Sequence, residues 1–248
     1  MKKYIIILFS LLSLSVNAQM LQGMYRERED PFIFQITASS FTLPLMNGYT
    51  YNFTVSWGDG SALSKVTSYN DANATHTYAG SGNYIISIKG TCQYVNFEDF
   101  NSGSEKLKLT KLVSFGNVGF TSFTNSYFGC TNLTGTIPSF SGCILVTNFY
   151  ASFNGCTGLT GSIPSFSMCT LVNSFYDTFQ GCTGLTGSIP SFPDNHLVVT
   201  FYAMFYGCTG LSGNAPNLWV TFPTAVGNYC FYPGTQFSNN ASIPAGWK

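Results

Sequence analysis

The side chains best suited to catalysis in the second half of the chain are few and lie close together. Ser191, Asp194 and His196 fall within six residues and are the residue types of a hydrolase triad. A working triad holds its imidazole between partners from separate elements, whereas these three share one predicted turn. The preceding repeat has Met168-Cys169 where this one has Asp194-Asn195. We therefore predict a variable loop, and a protein that is not an enzyme.

The eight cysteines are the next candidates for chemistry. Five of them are spaced by 13 residues, namely Cys130, Cys143, Cys156, Cys169 and Cys182. A zinc site normally uses close C-x-x-C pairs, and the sequence has none. The spacing follows from an internal repeat, so we predict that most of these cysteines are small buried apolar side chains. An occasional disulfide, involving Cys230 or Cys92, is the alternative.

Two polar residues in the first half also suggest chemistry. Asp59 lies in the turn Gly58-Asp59-Gly60 and is a candidate calcium ligand, although few oxygen ligands lie near it in the sequence. His76 lies in a predicted strand. We interpret both residues as structural, and we expect neither a metal nor a cofactor.

The composition excludes several classes of function. Only 8% of the residues are charged, whereas an ordinary soluble domain has about 25%. Between Leu112 and Trp247 the only formal charges are Asp177 and Asp194. General acid–base catalysis, two-carboxylate glycoside hydrolysis and phosphate binding through Lys or Arg need side chains that this region lacks. Nucleic acid is excluded as a partner for the same reason.

The N-terminal segment has the pattern of a secretory signal. Lys2 and Lys3 precede the apolar run Tyr4 to Leu14, and Val16-Asn17-Ala18 is a typical cleavage site. We predict a signal peptide over residues 1–18 and an exported protein. An uncleaved membrane anchor is the less favoured alternative. No later segment is long enough to cross a bilayer, so we expect no transmembrane segment in the mature chain.

The second half of the chain is an internal repeat with a period of 26 residues. Residues 121–146, 147–172 and 173–198 align without gaps, a fourth copy begins at Val199, and a degraded copy covers 227–248. Repeats of this length predict a solenoid whose units bury their apolar faces on one another. The repeated positions include Phe149, Phe175 and Phe201; Cys130, Cys156, Cys182 and Cys208; and Leu133, Leu159, Leu185 and Leu211.

Each unit shows two local patterns. Val146, Phe149 and Phe153 have the spacing of one face of a short helix. Residues 159–163 alternate apolar and polar side chains, which predicts a short strand with Leu159 and Ile163 facing inward. One strand per unit favours parallel pairing between units, because antiparallel pairing would need two.

The repeat LVTNFYASFNGCTGLTGSIPSF resembles that of BspA-like leucine-rich-repeat surface proteins of bacteria. The resemblance covers about half of the chain and is carried by the F-x-G-C-x-x-L core. This sequence has phenylalanine where methionine is usual, a difference in packing volume. The resemblance implies a leucine-rich-repeat fold and a role in adhesion or interaction, either secreted or at the cell surface of a bacterium.

The first half has a different pattern. Strand-like alternation from Tyr51 to Trp57 leads into WGDGS, and a second alternating run follows HTYAGSGNY (residues 76–84). This pair of motifs is similar to the PKD-type immunoglobulin-like domain, in which Trp57 and Tyr84 would fill the core. We therefore predict a mainly β protein with short helices. A PKD-like β-sandwich would occupy 19–100, a linker or N-terminal cap 101–111, and a leucine-rich-repeat solenoid with a degenerate C-terminal cap 112–248.

Two sets of uncharged side chains are candidates for binding. The predicted outward positions of the strands form hydroxyl-rich columns, Thr134, Thr160, Thr186 and Ser212 in one, and Thr136, Ser162, Ser188 and Asn214 in the next. Tyr150, Tyr176 and Tyr202 form a further column beside the predicted helical stripe. Neutral aromatic and hydroxyl side chains suit recognition of a protein or a glycan.

These columns lead to the predicted function. We predict a non-enzymatic binding or adhesion protein that recognises an extracellular protein or glycan, with an affinity that depends weakly on salt. A purely structural spacer on the cell surface is the first alternative, in which the columns only solvate the coil. Glycan or ice binding by a flat array of hydroxyls is the second.

Overall fold

The computed structural model describes residues 30–98, 103–233 and 236–248, so the predicted signal peptide (1–18) lies outside the described residues. The described chain is mainly β. Its strands are β1 (Phe32–Thr42), β2 (Tyr51–Ser56), β3 (Ser64–Val66), β4 (Thr75–Cys92) and β5 (Leu109–Ser114). The helical elements are the α-helix α1 (Leu218–Thr221) and four short 3-10 turns, Ala72–Ala74, Glu105–Leu107, Asn240–Ser242 and Ala245–Trp247. Within the described ranges, no helix has the length and apolar character needed to cross a membrane.

The five strands form one antiparallel sheet in the order β3-β2-β4-β1-β5. The long strand β4 lies at the centre and pairs with β1 over most of its length, and with β2 through residues 87–92. In β1, the fully buried Phe32, Phe34 and Ile36 alternate with more exposed residues. This period of two gives the sheet one apolar face, which must be covered.

The predicted two-sheet sandwich is not seen, because all five strands belong to one sheet and the described residues contain no second one. Residues at the start of the repeats cover the apolar face instead. The ring centroids of Phe97 and Tyr127 are 5.7 Å apart, and those of Phe32 and Phe120 are 5.1 Å apart. Because this contact buries the sheet, a second sheet is not needed to complete the core.

Two residues predicted to fill the core of the first half differ in their burial. Trp57 is buried, and its indole nitrogen donates to the Ser64 hydroxyl at 3.0 Å. Tyr84 stays partly exposed and stacks on the buried Tyr78, with ring centroids 3.6 Å apart. Tyr84 therefore lies at the margin of the core.

The segment predicted as a linker belongs to the sheet where it is described. Residues 105–107 form a 3-10 turn, and β5 begins at Leu109 and pairs with β1. The predicted boundary at residue 112 therefore falls inside β5. On the edge of β5 that faces away from β1, the Thr110 carbonyl accepts a hydrogen bond from the Thr134 N–H at 2.9 Å. The sheet thus continues directly into the first repeat.

Successive repeats stack in parallel, as the single predicted strand per unit requires, but through isolated bridges and not extended strands. One set joins Gly135 to Leu159, Gly161 to Leu185 and Gly187 to Leu211, and the other joins Asn148 to Ser174, Ser174 to Thr200 and Thr200 to Val226. Each residue therefore meets its counterpart in the next repeat, or a close neighbour of it. This register turns repeated sequence positions into columns along the stack.

The predicted strand at 159–163 is interrupted at its centre. Leu159 and Ile163 face inward as predicted, and Thr160 and Ser162 are exposed. Gly161 between them has φ +76°, a left-handed conformation that extended backbone does not adopt. The chain therefore bends at this glycine, and the hydroxyl columns do not follow a continuous flat strand.

The predicted helix at 146–153 is replaced by successive turns. The Ser152 N–H donates to the Phe149 carbonyl within the repeat, whereas the Ala151 N–H donates to the Tyr176 carbonyl of the next repeat at 2.8 Å. Ala151 itself has φ +49°. Because alternate amides bond to the neighbouring repeat, a helical ladder between residues four apart cannot form.

Glycine is required where two repeats approach most closely. A Cβ atom at Gly184 would lie 2.4 Å from the Leu159 carbonyl oxygen of the preceding repeat. The same approach recurs at Gly210 below Leu185, also at 2.4 Å. The small residue at this position therefore sets the distance between repeats.

One continuous hydrophobic core runs through the sheet and the repeats. Phe149, Phe175 and Phe201 stack along it, with ring centroids 5.5 and 5.7 Å apart. In the degraded last copy, Trp247 packs on Phe231 with ring centroids 6.3 Å apart. An indole thus covers the end of the phenylalanine stack.

Candidate binding surface

All eight candidate residues of the hydroxyl columns are exposed. They are Thr134, Thr136, Thr160, Ser162, Thr186, Ser188, Ser212 and Asn214. The bends at Gly135, Gly161, Gly187 and Gly213, each with φ between +76° and +84°, separate the two columns in every repeat. The structure therefore exposes these side chains but does not hold them in the flat array on which the alternative of glycan or ice binding depends.

The predicted tyrosine column is present and ordered by stacking. The rings of Tyr150 and Tyr176 lie 5.0 Å apart at 14° to each other, and those of Tyr176 and Tyr202 lie 4.6 Å apart at 11°. Each tyrosine N–H is fixed by the polar side chain two residues earlier. For example, the Asn148 carbonyl oxygen (Oδ1) accepts from the Tyr150 N–H at 2.7 Å. The backbone thus holds each ring in a defined position on the stack.

Three further tyrosines extend this column, and we did not predict them from the sequence. Tyr206 stacks on Tyr232 with centroids 5.1 Å apart. Tyr229 meets Tyr202 edge-on at 5.8 Å and Tyr206 edge-on at 6.5 Å. The signal for Tyr206 lay in the repeat itself, since it occupies the same position, directly before Gly-Cys, as Asn154 in the second repeat.

These six residues form what we call the tyrosine surface: Tyr150, Tyr176, Tyr202, Tyr206, Tyr229 and Tyr232. Four of them are between 38% and 48% exposed, and Tyr176 and Tyr202 less so. Because the rings pack on one another, many of their faces are covered. The surface therefore offers mainly ring edges and phenol hydroxyls.

Asp177 lies within this surface, next to Tyr176 in the sequence. Its backbone has φ +52°, like the equivalent residues Asn125, Ala151 and Ala203. One carboxylate oxygen, Oδ1, is buried without a hydrogen-bond partner, although the residue is partly exposed. This desolvation raises the pKa of Asp177 to about 6.

The eight cysteines are free and buried, so the alternative, a disulfide involving Cys230 or Cys92, is not formed. The Cys156, Cys182 and Cys208 thiols each donate to a carbonyl of the preceding repeat, at 2.9 to 3.0 Å. Burial raises the pKa of Cys208 to about 12. These thiols link neighbouring repeats and are not poised for reaction. The repeated phenylalanine and leucine positions are buried as well: Phe149, Phe175, Phe201, Leu133, Leu159, Leu185 and Leu211.

The residues of the rejected triad are not brought together. Ser191, Asp194 and His196 are exposed, and no hydrogen bond or ion pair joins them in the described chain. Asn195 between them is fully buried, and its amide nitrogen (Nδ2) donates to the carbonyl of Cys169 at 2.8 Å. Our prediction of a variable loop therefore missed that Asn195 is anchored in the core where other repeats have a cysteine.

A hydrogen bond joins Asp59 and His76 in the first half, with Oδ2 and Nε2 2.7 Å apart. Trp57 stacks on the His76 ring, and the Ser61 hydroxyl donates to Asp59 Oδ1 at 2.6 Å. Hydrogen bonds from Ser61 and His76 hold the pKa of Asp59 well below its usual range. Both carboxylate oxygens are thus engaged by protein donors, which disfavours the calcium alternative.

Comparisons with models of protein families, with curated proteins and with solved structures each returned no match. Among the described residues, no group of three or more His, Cys, Asp or Glu side chains is arranged to hold a metal ion. The tyrosine surface and the exposed hydroxyl columns are the candidate binding surfaces of the described chain.

Proposed function

We propose that this is an exported, non-enzymatic binding protein whose tyrosine surface recognises another protein outside the cell. The observation that carries the proposal is the contiguous set of six tyrosines, stacked at 4.6 to 5.1 Å within the columns and partly exposed. Tyrosine contributes a large contact area with few rotatable bonds, and it is enriched where proteins bind each other. Stacking before binding lowers the entropy that association must overcome.

A protein partner is favoured over a glycan by the orientation of the rings. Sugars bind aromatic residues mainly through open ring faces, but Tyr176 is stacked between Tyr150 and Tyr202. The hydroxyl columns are divided by the glycine bends, so they lack the flat geometry expected of a glycan or ice surface. Ring edges and phenol hydroxyls suit the mixed polar and apolar contacts of a protein interface.

Our proposal also covers the fold families of the two halves of the chain. We infer that the stacked repeats form a leucine-rich-repeat solenoid of the BspA-like type, because they pair in parallel and share one core. The hydrogen bond between Asp59 of WGDGS and His76 of HTY supports a PKD-like origin for the first half, whereas the single sheet of this half does not. Adhesion at the surface of a bacterium is the role that this family likeness favours.

A capture experiment with matched variants tests the proposal. The full chain, carrying a photo-crosslinker, is incubated with extracellular and cell-surface proteins. The variant Y150S/Y206S/Y232S alters three exposed rings, and the control T134A/T160A/T186A alters three exposed hydroxyls. We expect wild type and the control to crosslink to the same partner, and the tyrosine variant to lose it.

Three results would overturn the proposal. Equal capture by the tyrosine variant, with its fold verified by an unfolding curve, would show that the tyrosine surface is not the binding site. Absence of any partner for the wild type would favour the structural spacer. Loss of capture in the threonine control alone would instead assign binding to the hydroxyl columns.

A further inference from the structure

Asp177 introduces a negative charge into an otherwise neutral surface. It is one of two formal charges between Leu112 and Trp247, and this stretch contains no Lys or Arg to neutralise it. The other charge, Asp194, lies exposed in a loop. Residues 112–247 therefore supply no cation for the carboxylate that this surface carries.

The fold does not require this carboxylate. Equivalent positions are occupied by Ala151 and Ala203, and both alanines adopt the same left-handed conformation. A carboxylate oxygen that is removed from water without a hydrogen bond destabilises the folded protein. Asn125, at the equivalent position of the first repeat, also has a buried Oδ1 without a partner, so it is the negative charge that is confined to one repeat. A partly buried charge that the fold does not use is typical of a functional position.

We propose that the tyrosine surface binds an arginine side chain of its protein partner, which pairs with Asp177. The inference rests on the proposed function and names the chemistry of the partner. Arginine fits because its planar guanidinium carries five N–H donors. Some can reach the partly exposed carboxylate, while others donate to phenol oxygens of neighbouring tyrosines.

The side chains near Asp177 are compatible with binding of a positively charged side chain. The Tyr176 phenol interacts electrostatically with Asp177, and its ring is stacked between those of Tyr150 and Tyr202. Their hydroxyls accept hydrogen bonds as well as donate them. A guanidinium would therefore meet one negative charge and several hydrogen-bond acceptors, and residues 112–247 contain no Lys or Arg that would compete with it.

The test uses the full chain and two pentapeptides. The probe is Gly-Gly-Arg-Gly-Gly with blocked ends, and the control replaces arginine by citrulline, which has a similar shape without the charge. Binding is measured by NMR from the tyrosine ring signals. We expect the arginine peptide to bind at least about fivefold more tightly than the citrulline peptide. The preference should disappear in Asp177→Asn and persist in Asp194→Asn.

Equal binding of the two peptides, no binding of the arginine peptide, or a preference that survives in Asp177→Asn would each overturn the inference. Failure here is distinguishable from failure of the proposed function. If Asp177→Asn still captures the protein partner that Y150S/Y206S/Y232S loses, the tyrosine surface binds a protein but not through this carboxylate.

Discussion

Replacing Asp177 by asparagine should stabilise the folded protein at neutral pH. The carboxylate is partly desolvated, its Oδ1 has no hydrogen-bond partner, and its pKa is raised to about 6 by this burial. Asparagine removes the charge and retains the shape. It also suits the backbone, because Asn125 occupies the equivalent position of the first repeat with φ +53°.

The direction in which stability changes with pH follows from the number of protons that Asp177 binds in the folded and unfolded states. Between pH 3.8, the ordinary value for Asp, and about 6, the folded protein binds more protons at Asp177 than the unfolded chain does. The free energy of unfolding contributed by this group therefore falls as pH rises through that window, and is constant above it. The two pKa values differ by about two, which corresponds to about 3 kcal/mol. Because Asp177 is partly exposed and solvent screens it, we expect about 1 to 2 kcal/mol.

Chemical denaturation of wild type, Asp177→Asn and Asp194→Asn at pH values from 4 to 8 measures this effect. The control removes the same charge from an exposed loop, so its stability should stay within about 0.5 kcal/mol of wild type. In thermal unfolding at pH 7, Asp177→Asn should have a midpoint roughly 2 to 8 °C higher than wild type. It should also lack the fall in stability between pH 4 and 6. Equal stability of the two variants at pH 7, or the same slope in Asp177→Asn as in wild type, would refute the reasoning.

Three other predictions concern the fold. Gly184→Ala should destabilise the protein by about 1 to 3 kcal/mol in chemical denaturation, because its Cβ would meet the Leu159 carbonyl oxygen at 2.4 Å. Gly246→Ala, where no atom lies within 4 Å of the added Cβ, should leave stability unchanged. All eight cysteines should resist iodoacetamide at pH 8 in the folded protein and react in denaturant, as mass spectrometry would show; rapid labelling of the folded chain would contradict their burial. Asp59→Asn should reduce the loss of stability below about pH 4, since hydrogen bonds to Asp59 favour its ionised form. Chemical denaturation below pH 4 would measure this, and an equal loss of stability in the variant and in wild type would contradict it.

The repeat predicted the columns of the structure well, because a fixed period forces equivalent residues into register. Burial of Phe175, Cys182 and Leu185, and the stacking of Tyr176 on its neighbours, follow from the alignment of the copies alone. Parallel pairing was predictable for the same reason. Periodicity thus specifies which residues meet across repeats.

Local backbone conformation was harder to predict. The spacing of Val146, Phe149 and Phe153 is typical of a helix, but the repeat positions half of the amides to bond to the next unit. Likewise, the alternation at 159–163 is typical of a strand and gives no sign that Gly161 bends the chain. The spacing at 146–153 and the alternation at 159–163 both indicate which side chains are buried. The same side chains can be buried by more than one backbone conformation.

At positions where the repeats differ in sequence, the structure shows whether the substituted side chain is used by the fold. Asn195 replaces a cysteine in the third repeat. Its Oδ1 is buried without a partner, but its Nδ2 donates to the carbonyls of Phe166 and Cys169, so the core uses the substitution. Asp177 lies in the same repeat, at a position that holds Asn125 in the first repeat and alanine in the two neighbouring ones. Its buried Oδ1 has no partner, as in Asn125, and it adds a negative charge that none of its hydrogen bonds satisfies at that oxygen. A substitution that the fold uses needs no other explanation, whereas one that destabilises it at an exposed aromatic surface calls for a ligand. For this reason the binding experiments are centred on Asp177 and its neighbouring tyrosines.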